Sequence, residues 1–222
     1  MVPSDCLAAS VAKQVQRPQS LKLAFGGMNR ISRGTAKTLV ENLPKGGRAR
    51  INGKIQKVPT AWKSMQVPFR EGSAWAVTIP WGDVASAYYS TGIPNIEVYT
   101  RVPFKQIQWM RRLRFLLPAL GFGPLQSLVK NRVAARMPGP SSEERAAGRA
   151  SLWAQVIAAN GQAAEGTLVT PDGYHLTILT ALECVRRLLA EPQSGFLTPS
   201  QAFGSDLITE IAGCDLQLSL PR

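Results

Sequence analysis

The stretch Val77–Tyr99, VTIPWGDVASAYYSTGIPNIEVY, constrains the fold more tightly than any other part of the chain. Val77, Thr78 and Ile79 are β-branched strand formers, and Pro80 ends the ladder by removing a backbone donor. Gly82 permits a turn, and Asp83 sets a carboxylate at the positive end of a helix over Val84–Ser90. Gly92 suits the left-handed residue that closes a helix, and Pro94 forbids continuation. Ile96, Val98 and Thr100 restart a strand whose other face carries Glu97 and Tyr99. Between two apolar strands the chain thus gathers Trp81, Asp83, Tyr88, Tyr89, Ser90, Thr91 and Asn95. Polar groups on a turn held by a rigid scaffold are how a ligand wall is built.

The flanking sequence predicts more strands and helices in mixed order. Leu7, Val11 and Val15 recur at helical spacing after Ser4, a suitable N-cap, and Arg17-Pro18 ends that helix. Leu21, Leu23 and Phe25 alternate with Ser20, Lys22 and Ala24, the pattern of a half-buried strand. A helix near Ser32–Leu43 places Ala36, Leu39, Val40 and Leu43 on one side. Asn52-Gly53 between two short basic strands is a strong hairpin signal, and Val67 with Phe69 suggests a further strand. Ser151–Ala159 and Ala163–Thr170 read as antiparallel strands joined at Asn160-Gly161, and Leu176–Leu189 as a helix bounded by Pro192. A short helix over Ser205–Ile211 and an alternating strand over Leu216–Leu220 close the chain. The fold class expected is α+β, a mixed and largely antiparallel sheet covered by helices.

Residues 104–137 differ in character and divide the rest into a first half, 1–103, and a second, 138–222. Phe104–Leu117 predicts a helix with an Ile107, Met110, Leu113, Leu116, Leu117 stripe beside Arg111, Arg112 and Arg114. Pro124–Met137 predicts a second helix with Lys130, Arg132 and Arg136, and PGPSS at 138–142 an exposed joint before a charged turn. This basic pair has three readings: a cover or oligomer contact, a monotopic membrane-surface anchor, and a nucleic-acid surface. No recognition motif supports the third. The formal charge of +12 fits an anionic partner without choosing one.

No apolar run is long enough to span a bilayer, because Pro118, Gly121, Gly123, Pro124 and Gln126 interrupt Phe115–Leu128. The N-terminus lacks a basic region followed by an apolar core. Three cysteines, Cys6, Cys184 and Cys214, have no ligand spacing and point to a reduced cytoplasmic compartment, with peripheral attachment at the membrane surface the alternative. Cys6 falls in a first helical turn, where a thiol pKa can drop, but reads as a small buried side chain. The lone His175 reads as a surface or cap residue, and no zinc-ligand spacing or Gly-x-Ser-x-Gly elbow occurs.

Six stretches carry a resemblance: VPSDCLA at 2–8, LAFGGMNRISRGTAKTLVE at 23–41, IPWGDVASAYYSTGIPNIEVY at 79–99, GPSSEERAAGR at 139–149, LTILTALECVRRLL at 176–189 and GFLTPSQAFG at 195–204. In these the chain resembles the C-terminal portion of the saccharopine dehydrogenase-like oxidoreductases, whose second domain is similar to the C-terminal domain of glyceraldehyde-3-phosphate dehydrogenase. The resemblance implies an NAD- or NADP-dependent oxidoreductase in which an N-terminal Rossmann domain holds the dinucleotide and an α+β domain closes over the substrate. The Rossmann fingerprint is absent here, since Gly121-Phe122-Gly123 has Gln126 where the third glycine belongs. The expectation is a substrate domain whose nucleotide-binding half is missing or supplied by a separate Rossmann partner, with little turnover alone, and with a homodimer as the other assembly. The alternative is a non-enzymatic membrane-surface or scaffold protein retaining the fold.

The resemblance also assigns candidate residues. Arg33 and Thr35 would hold an anionic group, against the plainer reading of a helix capped by Ser32 with a solvated arginine. Trp81 and Gly82 would line the crevice, with Asp83 either catalytic or a helix-capping carboxylate. Tyr88, Tyr89, Ser90 and Thr91 offer hydroxyls to orient a carbonyl or donate a proton, against a core-edge role for the tyrosines. Tyr89 stands where the family often has histidine, which a phenol of ordinary pKa about 10 replaces poorly at neutral pH.

Overall fold

A computed structural model describes residues 1–27, 32–136 and 148–219. Among the described residues nine strands form one sheet. They are β1 Pro18–Gly26, β2 Gly47–Ile51, β3 Lys54–Val58, β4 Ser64–Phe69, β5 Gly72–Thr78, β6 Asn95–Arg101, β7 Arg149–Ala158, β8 Ala163–Pro171 and β9 Asp215–Leu218. The main path runs β3-β2-β6-β1-β7-β8-β9. Only β1 and β6 run parallel, with Leu21 opposite Ile96 and Leu23 opposite Val98; every other pairing is antiparallel. This is the mixed, largely antiparallel α+β arrangement expected from the sequence. The outer edge of β6 is shared: β2 meets it at Ile96, and β5 meets it from Tyr99 to Arg101. Two hairpins are thereby hung on one strand.

The helices are α1 Val2–Ala12, α2 Arg33–Asn42, α3 Asp83–Thr91, α4 Phe104–Leu113, α5 Gly123–Arg136, α6 Gly173–Ala190 and α7 Pro199–Phe203. The main core lies between one sheet face and α1, α3 and the 3-10 turn Ser205–Glu210, with Leu7, Leu21, Ile96, Val156, Leu168 and Ile208 buried together. Gly166 on β8 makes room for α1, because a Cβ there would stand 2.7 Å from Val11 and 3.2 Å from Leu7. On the other face the β4–β5 ribbon packs Val67, Phe69 and Ala76 over Ala24, Tyr99 and Trp153.

Local turn chemistry is realised where it was strongest. Asn52 and Gly53 both take positive φ, 50° and 77°, as a two-residue type I′ hairpin requires. Gly92 closes α3 in the left-handed region at φ 69°. Other expectations are corrected. Helix α1 starts at Val2 with Met1 as its N-cap, because Pro3 is well suited to a first helical turn, and Ser4 donates back to the Met1 carbonyl. Strand β1 is covered on both faces at Leu23 and Ala24, since it sits mid-sheet beneath the ribbon. Tyr99, which the alternation placed only on the second face of its strand, is likewise buried.

Helix α4 ends at Leu113, four residues earlier than expected, and a turn over 114–116 leads to the 3-10 segment Leu117–Gly121. Only Ile107 of its stripe is fully buried, packing with Ala61 and Val77, while Leu113 and Leu116 face solvent. Strand β9 is shorter than predicted, and Leu220 lies outside the described residues, as do the 138–142 joint and most of the charged turn. Among the described residues no helix is long and apolar enough to cross a membrane.

Candidate functional site

A polar cluster around buried Asp5 joins three helices. Asp5 on α1 is 1% exposed; its Oδ2 accepts the Ser200 amide at 2.7 Å and its Oδ1 accepts the Ser90 hydroxyl. Ser90 also reaches Thr198 Oγ1 at 3.0 Å. Ser200 lies in the first turn of α7, where amides have no partner inside the helix, so Asp5 acts as a cap supplied from elsewhere in the chain. The Gln201 side chain accepts from the Thr198 amide at 3.0 Å and donates to the Tyr89 carbonyl at 2.7 Å, tying α7 to the end of α3. Ser90, expected as a ligand hydroxyl, is therefore engaged inward.

The rest of the predicted wall divides between the two sides of α3. Asp83 is buried at its start, and neither carboxylate oxygen meets a hydrogen-bond donor. Burial raises its carboxyl above the ordinary range. Trp81 packs against the main core with its ring centroid 6.0 Å from that of Phe25, near the carboxyl end of β1, and Gly82 is exposed. Thr91 turns back onto its own helix, donating to the Ala87 carbonyl. Tyr88 and Tyr89 lie outward. The Arg50 guanidinium stands 4.1 Å over the Tyr88 ring while donating to Val84 and Gly53 carbonyls, and Tyr89 meets Phe196 edge-on at 5.0 Å. Asn95 accepts the Asn52 amide at 2.9 Å and donates to the Gln19 carbonyl at 3.0 Å, bracing the β2–β3 turn.

Arg33 and Thr35 belong to a separate group at the start of α2. Ser32 is the N-cap, accepting the Thr35 amide at 3.2 Å, and Arg33 is exposed. Beside them stands a residue that the sequence reading passed over. The Tyr174 hydroxyl, carried by the first turn of α6, accepts the Ser32 amide at 2.8 Å. Asp172 caps α6 through the Tyr174 amide at 2.9 Å and so fixes the tyrosine backbone. Burial alone would raise this phenol, but hydrogen bonds from Ser32 and Thr35 outweigh it and hold it below its ordinary value. Sequence signal for it was weak, because Tyr174 and Ser32 are 142 residues apart. In an absorbance titration of the four tyrosines, Tyr174→Phe should remove the earliest component. An unchanged first step would refute the assignment.

Gly27, after β1, packs closely on the chain itself, since a Cβ there would stand 2.6 Å from the Arg149 carbonyl oxygen and 3.1 Å from Ala150 Cα. Burial shifts the cysteine thiols up. Burial first, then the neighbouring Asp5 charge, pushes the Cys6 thiol up to about 12, and burial pushes Cys214 up to about 11. His175 is an exposed residue whose amide is 3.4 Å from Asp172 Oδ1. Among the described residues no cluster of His, Cys, Asp or Glu is arranged to hold a metal ion.

The class defined by sheet and helices is an α+β domain built on a mixed, largely antiparallel sheet. No family model matches the sequence, and no curated protein matches it. Among solved structures the chain is similar to apo saccharopine dehydrogenase (L-Glu forming) from Saccharomyces cerevisiae. The TM-score is 0.53 at 9% identity, and the match covers 98% of this chain and 71% of that one. At this identity the likeness speaks for the fold alone.

Proposed function

We propose that this chain is the substrate-side portion of an NAD- or NADP-dependent oxidoreductase of the saccharopine dehydrogenase-like type. The observation that carries this reading is the fold likeness, which spans 98% of the chain. The fold alone does not confer an activity, so the reading leans on the group at the head of α2. There Arg33 would hold a carboxylate of the substrate, Thr35 would orient it, and Tyr174 would donate a proton to a carbonyl or imine. Tyr174 is preferred over Tyr88 and Tyr89 because its hydroxyl is fixed by a backbone amide. The dinucleotide would be held by a nucleotide-binding domain outside these residues, such as a separate Rossmann partner.

The test is calorimetric titration with amino-dicarboxylic and 2-oxo acids, alongside NADPH fluorescence. Saturable binding of a carboxylic acid, weakened about tenfold in Arg33→Ala, is expected, since losing one charge-assisted contact is worth roughly 1.5 kcal/mol or more. Failure of every acid to bind would overturn the substrate assignment. Saturable NADPH binding by the chain alone would overturn the separate nucleotide domain.

A further inference from the structure

The α4–α5 segment has an outward surface that the sheet does not use. From Val102 to Arg136 the sequence holds seven Lys and Arg and no Asp or Glu. The inner side of α4 is fully committed. Ile107 is buried, Phe104 stacks on Trp75 at 4.6 Å, and Arg111 donates to the Ala61 carbonyl at 2.9 Å and Ser64 at 3.0 Å. The opposite side follows from helical spacing: Lys105, Trp109, Arg112 and Leu113 recur at three and four residues. Trp109 is 59% exposed, and the turn that follows α4 leaves Phe115 at 72% and Phe122 at 68%. The Arg112 guanidinium lies 6.0 Å from the Trp109 ring, so charge and aromatic ring occupy one face. Among the described residues no carboxylate pairs with Lys105, Arg112 or Arg114.

We infer that this segment seats the protein on an anionic bilayer surface, with Trp109, Leu113, Phe115, Leu116 and Phe122 entering the headgroup boundary and Lys105, Arg112 and Arg114 meeting lipid phosphates. The chemistry selects this occupant. Apolar side chains intermixed with cations gain from both the acyl boundary and the negative headgroups. A nucleic-acid backbone would satisfy the arginines but leave Leu113, Leu116 and Phe122 in water. A second copy would bring the same positive surface against itself, with no acidic residue in the segment to answer it. No described helix is long and apolar enough to cross a membrane. The inference is independent of the proposed activity.

The test is flotation of the whole chain with vesicles of phosphatidylcholine, alone or mixed equally with phosphatidylglycerol. Binding is expected only to the anionic vesicles, with a blue shift of tryptophan emission. It should weaken as salt rises from about 0.05 to about 0.5 M, because the charges become screened. The Trp109→Ser/Phe115→Ser and Arg112→Glu/Arg114→Glu pairs should each lower it by at least about tenfold. All four side chains are exposed, so unchanged melting curves confirm that the variants fold. Three results would overturn the inference: no flotation with anionic vesicles at low salt, flotation unaffected by both pairs, or RNA binding or self-association in place of flotation.

Discussion

Asp5→Ala should lower the stability of this protein by about 3 kcal/mol, because it strips a buried charged acceptor from two donors at once. The carboxylate, itself 1% exposed, holds the Ser200 amide at 2.7 Å and the Ser90 hydroxyl, and both donors lose this acceptor. Chemical denaturation followed by circular dichroism reads the loss directly. Asp5→Asn keeps one acceptor oxygen and should fall between the two. If Asp5→Ala unfolds at the same denaturant concentration as the parent, the bond between α1 and α7 contributes nothing. Asp83 behaves in the opposite sense, since its carboxyl is buried without a hydrogen-bond donor and its pKa is raised from 3.8. The folded state therefore binds the Asp83 proton more tightly than the unfolded chain does. That contribution to stability is complete below 3.8 and is lost as pH rises through the raised folded value. Asp83→Asn should accordingly melt above the parent at neutral pH, with the advantage gone in acid.

Trp153→Ala should cost about 3–5 kcal/mol and lower the melting temperature by roughly 10 °C. Trp153 lies on β7, fully buried between Ala24, Tyr99 and the Val67–Phe69 end of the ribbon, and is among the largest wholly enclosed side chains. Its removal leaves a cavity whose walls are strands and cannot easily collapse. Its indole also donates to Glu165 at 3.2 Å, and Glu165 accepts Gln155 at 2.8 Å, so a polar ladder on the same face is weakened. Trp153→Phe retains most of the volume and should lose less than half as much. Equal losses in the two variants would show that the indole hydrogen bond, and not the filled space, holds the ribbon down.

Sequence reading reached far where the controlling forces are short in range. The Asn52-Gly53 hairpin, the Ser32 cap of α2 and the Gly92 end of α3 are each set within a few residues by backbone sterics and a local hydrogen bond. The α+β class followed, because the order of those elements admits few other sheets. The candidate site was legible only in part. The 79–99 stretch was found, but whether each of its polar groups faces a ligand or the core depends on what packs behind it. Ser90 is turned inward by Asp5, 85 residues away. Tyr174, which meets Ser32 across 142 residues, carried no sequence signal beyond following a helix cap. Tyr99 was placed only on the second face of its strand, and the β4–β5 ribbon decides that it is buried. The chain's own order of residues thus determined its elements, its turns and its excess of positive charge. Tertiary structure alone decided which polar groups are buried, paired or left facing solvent, because desolvation is set by neighbours distant in sequence and no local pattern encodes them.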